Sequence, residues 1–224
     1  HAGCQAGAQH AESTGAIAAH PSRDPKLMAG YATVALEILD QAAQPLDTVF
    51  VPVGGGSLAA GVGLVFKALS PHTRVIGVQS AAAPALTRAW QTGEMKEIPV
   101  GETLADGLAT RVPSPDTVAI LREVLDDMIA VSEAEIAGAI RCYAQTLHQL
   151  AEGAGAAALA GAVNLRRRIA GQRIGIVLSG GNITSATLLN ILHGEMLAGS
   201  QRGSQLTETL ADMEYGQRSP ERQS

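Results

Sequence analysis

Apolar and polar positions along this chain switch repeatedly between two periods, and the switches mark alternating strands and helices. From Thr48 to Val53 the residues are almost all apolar, the pattern of a strand covered on both faces. Arg74 to Gln79 and Asp127 to Val131 read as two further strands, and Arg173 to Leu178 as a fourth, short and buried. Alanine-rich His1 to Thr14 predicts a helix ending near Gly15. Asp24-Pro25 caps the next helix, where Leu27, Met28, Tyr31, Val34, Ala35, Ile38 and Leu39 fall on one face. Further helices are predicted over Leu58 to Leu69 and Pro84 to Trp90, and from Ser114-Pro115 to about Val124. The capping box Ser132-Glu133-Ala134-Glu135 opens one that runs to about Leu150. Ala154 to Arg168 and Thr184 to Leu197 are the last two. Thr92 to Arg111 has little periodicity, and so long a loop in a compact domain points to a functional role. From Gly199 the chain is polar and is expected to be a disordered tail, with at most a turn of helix over Leu206 to Met213. The alternation predicts an α/β fold: an open, mostly parallel sheet with helices on both faces, including a right-handed βαβ unit from Thr48 to Gln79.

Composition narrows the function classes. The 224 residues are 46% hydrophobic but only 3% aromatic, so the core is built from Ala, Leu, Val and Ile. Net charge is −5 and basic residues are scattered. The run Arg166-Arg167-Arg168 ends a helix, where positive charge suits the dipole, so a nucleic-acid partner is not expected. No apolar run reaches the ~18 residues of a membrane span. Cys4 and Cys142 form neither a metal spacing nor a disulfide framework, which fits reduced thiols in a cytoplasmic protein.

The candidate chemistry lies in two glycine turns. After Val51-Pro52-Val53 come Gly54-Gly55-Gly56 and then Ser57-Leu58, where a helix begins. Three residues without Cβ let successive backbone N–H groups converge, and the helix start adds unpaired N–H groups and partial positive charge. Such a turn is an anion site, most simply for phosphate; with no ligand it would be a tight turn. It lacks the Gly-Lys-Ser/Thr of a nucleotide loop and the spacing of a dinucleotide fingerprint. The second turn, Ser179-Gly180-Gly181-Asn182, follows the fourth strand. It places the Ser179 hydroxyl at a strand's carboxyl end, where ligands of open parallel sheets sit; a helix N-cap is the other reading of Ser179.

Together these motifs resemble the serine/threonine dehydratase family of pyridoxal-phosphate enzymes, with the tryptophan-synthase-β-like fold (fold type II). The match runs in order through His20-Pro21, Ala29 to Leu39, Val51 to Gly56 and Gly77-Val78-Gln79. It continues through Thr103-Leu104-Ala105-Asp106-Gly107, Glu152 to Ala157 and Leu178 to Asn182. The resemblance implies that pyridoxal 5'-phosphate is the cofactor, its phosphate held by Gly54, Gly55, Gly56, Ser57 and Leu58. Ser57 stands where relatives have a fourth glycine. Ser179 would hydrogen-bond the pyridine nitrogen, Asp106-Gly107 and Glu152 would line the same pocket, and Ser22 would lie beside the ring. By residue type alone Glu152 is equally a helix N-terminal carboxylate. The implied reaction is β-elimination of ammonia from L-threonine or L-serine by a homo-oligomer, dimer or tetramer. The alternatives are a dehydratase of another β-hydroxyamino acid, such as 3-hydroxyaspartate, and a non-catalytic phosphate-binding or interaction protein.

Three departures bear on that expectation. The family's Schiff-base lysine and substrate-carboxylate loop precede the triple glycine, and none of Lys26, Lys67 and Lys96 stands in such a context. The chain is therefore read as the C-terminal part of a longer enzyme, with no catalytic residue of its own. Residues 1–20 would end the small domain, 21–198 would form most of the large one, and 199–224 the tail. Gln79 and Ala85 replace the two carboxylates of cation-binding racemase relatives, so no metal site is expected. Tyr31-Ala32 replaces a Gln-Gly pair, read as altered packing on the apolar stripe or altered substrate access.

Overall fold

The computed structural model describes residues 2–17, 19 and 24–194. His20, Ser22, Leu197 and the region 199–224 lie outside the described residues. Twelve elements of the described chain position the site: α1 (Ala2–Thr14), α2 (Pro25–Gln41), β1 (Thr48–Pro52), α3 (Ser57–Leu69), β2 (Arg74–Ser80), α4 (Ala85–Thr92), α5 (Pro115–Val124), β3 (Asp127–Val131), α6 (Glu133–Cys142), α7 (Gly153–Asn164), β4 (Ile174–Ile176) and α8 (Ser185–His193).

The four strands form one sheet in the order β3-β2-β1-β4, and every pair is parallel. Successive strand side chains point to opposite faces, so each strand feeds two cores. Val49, Val51, Val53, Val75 and Met128 pack with Met28 and Ala35 of α2, Ala59, Val62 and Phe66 of α3, and Leu121 and Val124 of α5. Phe50, Ile76, Val78 and Val131 face the other way, onto Ile136 and Ile140 of α6 and the alanines of α7. This is the expected architecture, with helices on both faces. Helix α7 is buried on nearly every side, and its sequence is almost all Ala and Gly because it lies across the sheet with no room for larger side chains.

The local chemistry explains most boundaries. Asp24 caps α2 by accepting from the Lys26 N–H at 2.9 Å, with Pro25 at the first helical position. Ser132 and Glu135 make the reciprocal capping box of α6. Ser114 is the N-cap residue of α5, but its hydroxyl makes no cap bond and is buried without a partner.

Four predicted elements are corrected. The last helix, expected over Thr184 to Leu197, ends at His193, with Gly194 in a left-handed conformation at φ 81°. The helix expected to run to Leu150 is α-helical only to Cys142, continues as a π turn over Tyr143–Leu147, and stops at His148, in a left-handed conformation at φ 53°. Burial at that turn pushes the Tyr143 phenol up to about 12, so it stays neutral. The helix expected to reach Arg168 ends at Asn164. The fourth strand is shorter than Arg173 to Leu178, and Ile174 is exposed because β4 is the edge of the described sheet. A continuous apolar run does not distinguish an edge strand from a central one.

Candidate functional site

Strands β1 and β4 are neighbours, but the chain leaves them toward opposite faces. After β1 it enters α3, in one core; after β4 it enters α8, whose Ile191 belongs to the other. Connections that diverge in this way leave a crevice beyond the carboxyl ends of the strands. A cavity of about 460 Å³ lies there, a size suited to a small organic ligand.

One wall is the first glycine turn. Gly54, Gly55, Gly56, Ser57 and Leu58 all line the cavity. Gly56 is the N-cap of α3 at φ 97°, a conformation that brings the turn directly into the helix and that a side chain would strain. The first N–H groups of α3 have no carbonyl partner within the helix, so the wall presents donors and no charge. Among the described residues, Glu152 is the only charged side chain lining the cavity. An anion held here is therefore held by backbone dipoles.

The long loop expected between Thr92 and Arg111 closes against this wall. Its single turn of 3-10 helix, Asp106–Leu108, sets Gly107 and Leu108 on the cavity, and a Cβ at Gly54 would strike the Gly107 carbonyl oxygen. Asp106 does not line the cavity; its carboxylate accepts from the Gly107 N–H at 2.8 Å.

Glu133 holds that loop, and the sequence reading gave it no role beyond the capping box. Its Oε1 accepts from the Ser80 hydroxyl at 2.7 Å and the Thr103 hydroxyl at 2.9 Å, and its Oε2 from the Leu104 N–H at 2.6 Å. Thr103 in turn accepts from the Ala105 N–H at 3.0 Å. The only hint in the sequence was a polar residue at each of three element ends, with nothing to show that they meet. Glu133→Ala leaves three half-buried donors without their acceptor. It is expected to loosen the loop by about 2–3 kcal/mol. Hydrogen exchange at residues 104–108 should accelerate while the α6 amides keep their rates; unchanged exchange at 104–108 would reject this anchoring role.

The opposite wall comes from the starts of α7 and of the loop after β4. Glu152, Ala154, Val177, Leu178 and Ser179 line it. Glu152 is the N-cap residue of α7, yet its side chain makes no cap bond. Its N–H donates to the Gly180 carbonyl at 3.1 Å, and its carboxylate lies where a Cβ on Gly180 would be, so the two predicted motifs meet directly. Ser179 is not a helix cap: α8 is capped by Thr184, whose hydroxyl accepts from the Thr187 N–H at 3.1 Å. Every described residue of the predicted site except Asp106 thus lines one cavity, and Ser22 is the member outside the described residues.

Seven further described residues line the cavity without having been assigned to the site: Tyr31, Val34, Pro52, Leu108, Ala154, Val177 and Leu178. Tyr31 and Val34 reach the cavity from α2, and Tyr31 is 40% exposed, which favours the substrate-access reading of Tyr31 over packing on the stripe. None of the lysines lines it: Lys67 pairs with Asp126 at 2.8 Å, Lys96 pairs with Glu94 at 2.6 Å, and Lys26 is exposed on α2. Gln79 is fully buried and accepts from the Thr87 N–H and hydroxyl through Oε1 at 2.9 and 3.0 Å.

A family model described as pyridoxal-phosphate dependent enzyme matches residues 2–180. The chain is 39% identical over 193 residues to an L-threonine ammonia-lyase of Geobacter sulfurreducens, covering 86% of this chain and 48% of that protein. It is 37% identical over 175 residues to an L-threo-3-hydroxyaspartate ammonia-lyase of a Pseudomonas species, covering 78% of this chain and 54% of that one. Among solved structures it is similar to a threonine deaminase from T.th., with a TM-score of 0.75 and 37% identity over 79% of this chain and 64% of that one. The chain spans about half the length of the curated relatives it matches.

Proposed function

Because this chain belongs to the pyridoxal-phosphate dependent enzyme family, we propose that it is the cofactor-holding part of an ammonia-lyase that deaminates L-threonine or L-serine by β-elimination. The observation that carries the reading is a single cavity with an uncharged donor turn at one end and the neutral hydroxyl of Ser179 at another. Gly54 to Leu58 suit the phosphate group of pyridoxal 5'-phosphate. Pro52, Leu108, Val177 and Leu178 give apolar surface for its ring. Gly107, Glu152 and Ser179 border the ring's polar edge, and Ser22 is assigned beside it.

When bound, the cofactor supplies the electron sink that makes the substrate's α-proton acidic. The described residues bind and orient it. Ser179 offers a neutral hydroxyl to the ring nitrogen where a carboxylate would keep a proton on it. A neutral partner limits withdrawal of charge into the ring and favours loss of the β-hydroxyl over amino-group transfer. Threonine would then yield 2-oxobutanoate and ammonia: the α-proton and the β-hydroxyl leave as water, and water later displaces the nitrogen. A dehydratase of another β-hydroxyamino acid, such as 3-hydroxyaspartate, is the second reading, supported by the similarity to an L-threo-3-hydroxyaspartate ammonia-lyase. On the same reading residues 1–20 end a small domain, residues 21–198 form most of the large one, and the chain is part of a longer, cytoplasmic homo-oligomeric enzyme.

The test is 2-oxo acid formation by the intact parent enzyme. More product from L-threonine and L-serine than from 3-hydroxyaspartate is expected, and no product from any of the three refutes the reading. Ser179→Asp in that enzyme should lower kcat for elimination by at least about tenfold, close to 1.4 kcal/mol in the barrier. Unchanged kcat together with an unchanged cofactor absorbance spectrum would remove Ser179 from the ring nitrogen.

A further inference from the structure

We infer that Tyr31 is a ligand of the anion site, its phenol O–H donating to the phosphate group from the α2 side; this rests on the cofactor reading above. Tyr31 lies on a helical face of which Met28 and Ala35 are packed inward. Met28 is 7% exposed and Ala35 0%, while Tyr31 is 40% exposed. It is turned to the cavity, whose lining it shares with Gly54 to Leu58.

Its position is set by how closely α2 lies on α3. A Cβ at Gly61 would strike the Met28 carbonyl oxygen and come within 2.8 Å of the Ala32 nitrogen. Only a residue without a side chain lets the backbone of residues 28–32 rest on the first turns of α3. That contact puts Tyr31 over the end of α3 where the glycine turn begins.

The chemistry fits an anion. The Tyr31 hydroxyl makes no hydrogen bond among the described residues. A phenol is a neutral donor that can complete the shell of a phosphate oxygen beyond those the turn's N–H groups reach. Glu152, the one charged lining residue among those described, is on the opposite wall with the loop after β4, so it does not oppose an anion at the glycine turn as a neighbour there would.

The experiment compares the full 224-residue chain with Tyr31→Phe, which removes only the hydroxyl. Each is titrated by calorimetry with inorganic phosphate, pyridoxal 5'-phosphate and pyridoxal, after circular dichroism shows equal folding. Tyr31→Phe should bind phosphate and pyridoxal 5'-phosphate about tenfold more weakly, the scale of a hydrogen bond to a charged group. Pyridoxal, which has no phosphate, should bind both equally. Equal phosphate affinity in the two proteins overturns the role of Tyr31 and leaves the cofactor reading standing. An equal loss for pyridoxal also overturns it, by moving Tyr31 to the ring. Failure of the unsubstituted chain to bind either phosphate compound overturns the cofactor reading and the Tyr31 role with it.

Discussion

Gly54→Val is expected to abolish measurable binding of pyridoxal 5'-phosphate. The added Cβ falls on the Gly107 carbonyl oxygen, which is backbone and cannot rotate away. The glycine turn and the 103–108 loop must then separate. The loop is tethered by two hydrogen bonds to Glu133, from the Thr103 hydroxyl and the Leu104 N–H, so the turn is the part that moves. Several charge-assisted N–H contacts to a phosphate lengthen together, a loss of at least about 2–3 kcal/mol. Gly55→Val, at the centre of the same wall, should weaken binding by a similar ~2–3 kcal/mol. The turn lies at the end of β1, beyond the paired residues, so the sheet should survive. Titration with the cofactor, with folding checked by circular dichroism, measures both variants. Wild-type affinity in a folded Gly54→Val protein would show that the glycine turn does not hold the cofactor.

The second large effect is on catalysis. The 224-residue chain supplied with pyridoxal 5'-phosphate is expected to form no 2-oxo acid from threonine or serine above background. A lysine that bonds the cofactor and moves the α-proton must reach the cavity. Lys67 is occupied by Asp126 toward the far end of α3, Lys96 is paired with Glu94, and neither these nor Lys26 lines the cavity. The expected deficit is several orders of magnitude, because removing covalent catalysis and its proton transfer removes the chemical step. Product formed by rigorously purified chain, at a rate that persists through a further purification step, would contradict the assignment of these lysines.

Much of the fold was legible because it is written in short-range patterns. The apolar runs of β1 and β2, the Asp24-Pro25 cap and the Ser132–Glu135 box each act within a few residues, and each formed as expected. The glycine turns were legible for the same reason, since a missing Cβ at a strand end constrains only the local backbone. Misreadings arose where the deciding contact was distant. Periodicity carried α6 to Leu150 because nothing in the repeat marks the π turn. Ile174 to Leu178 reads as buried because its apolar run carries no sign of what lies beyond the sheet edge.

The sequence by itself determined the element order, the parallel α/β class and the two glycine turns, since turn chemistry and hydrophobic period depend on neighbouring residues. Only the tertiary structure decided that both turns, Gly107 and Glu152 share one cavity, because β1 and β4 are far apart in sequence and become neighbours only through sheet pairing. It alone turned Glu133 from a capping residue into the anchor of the 103–108 loop. It also decided between packing on the α2 stripe and access to the site for Tyr31, which lines the cavity wall. The close crossing of α2 at Gly61 sets where that side chain goes, and a crossing of two helices leaves no periodic trace in either.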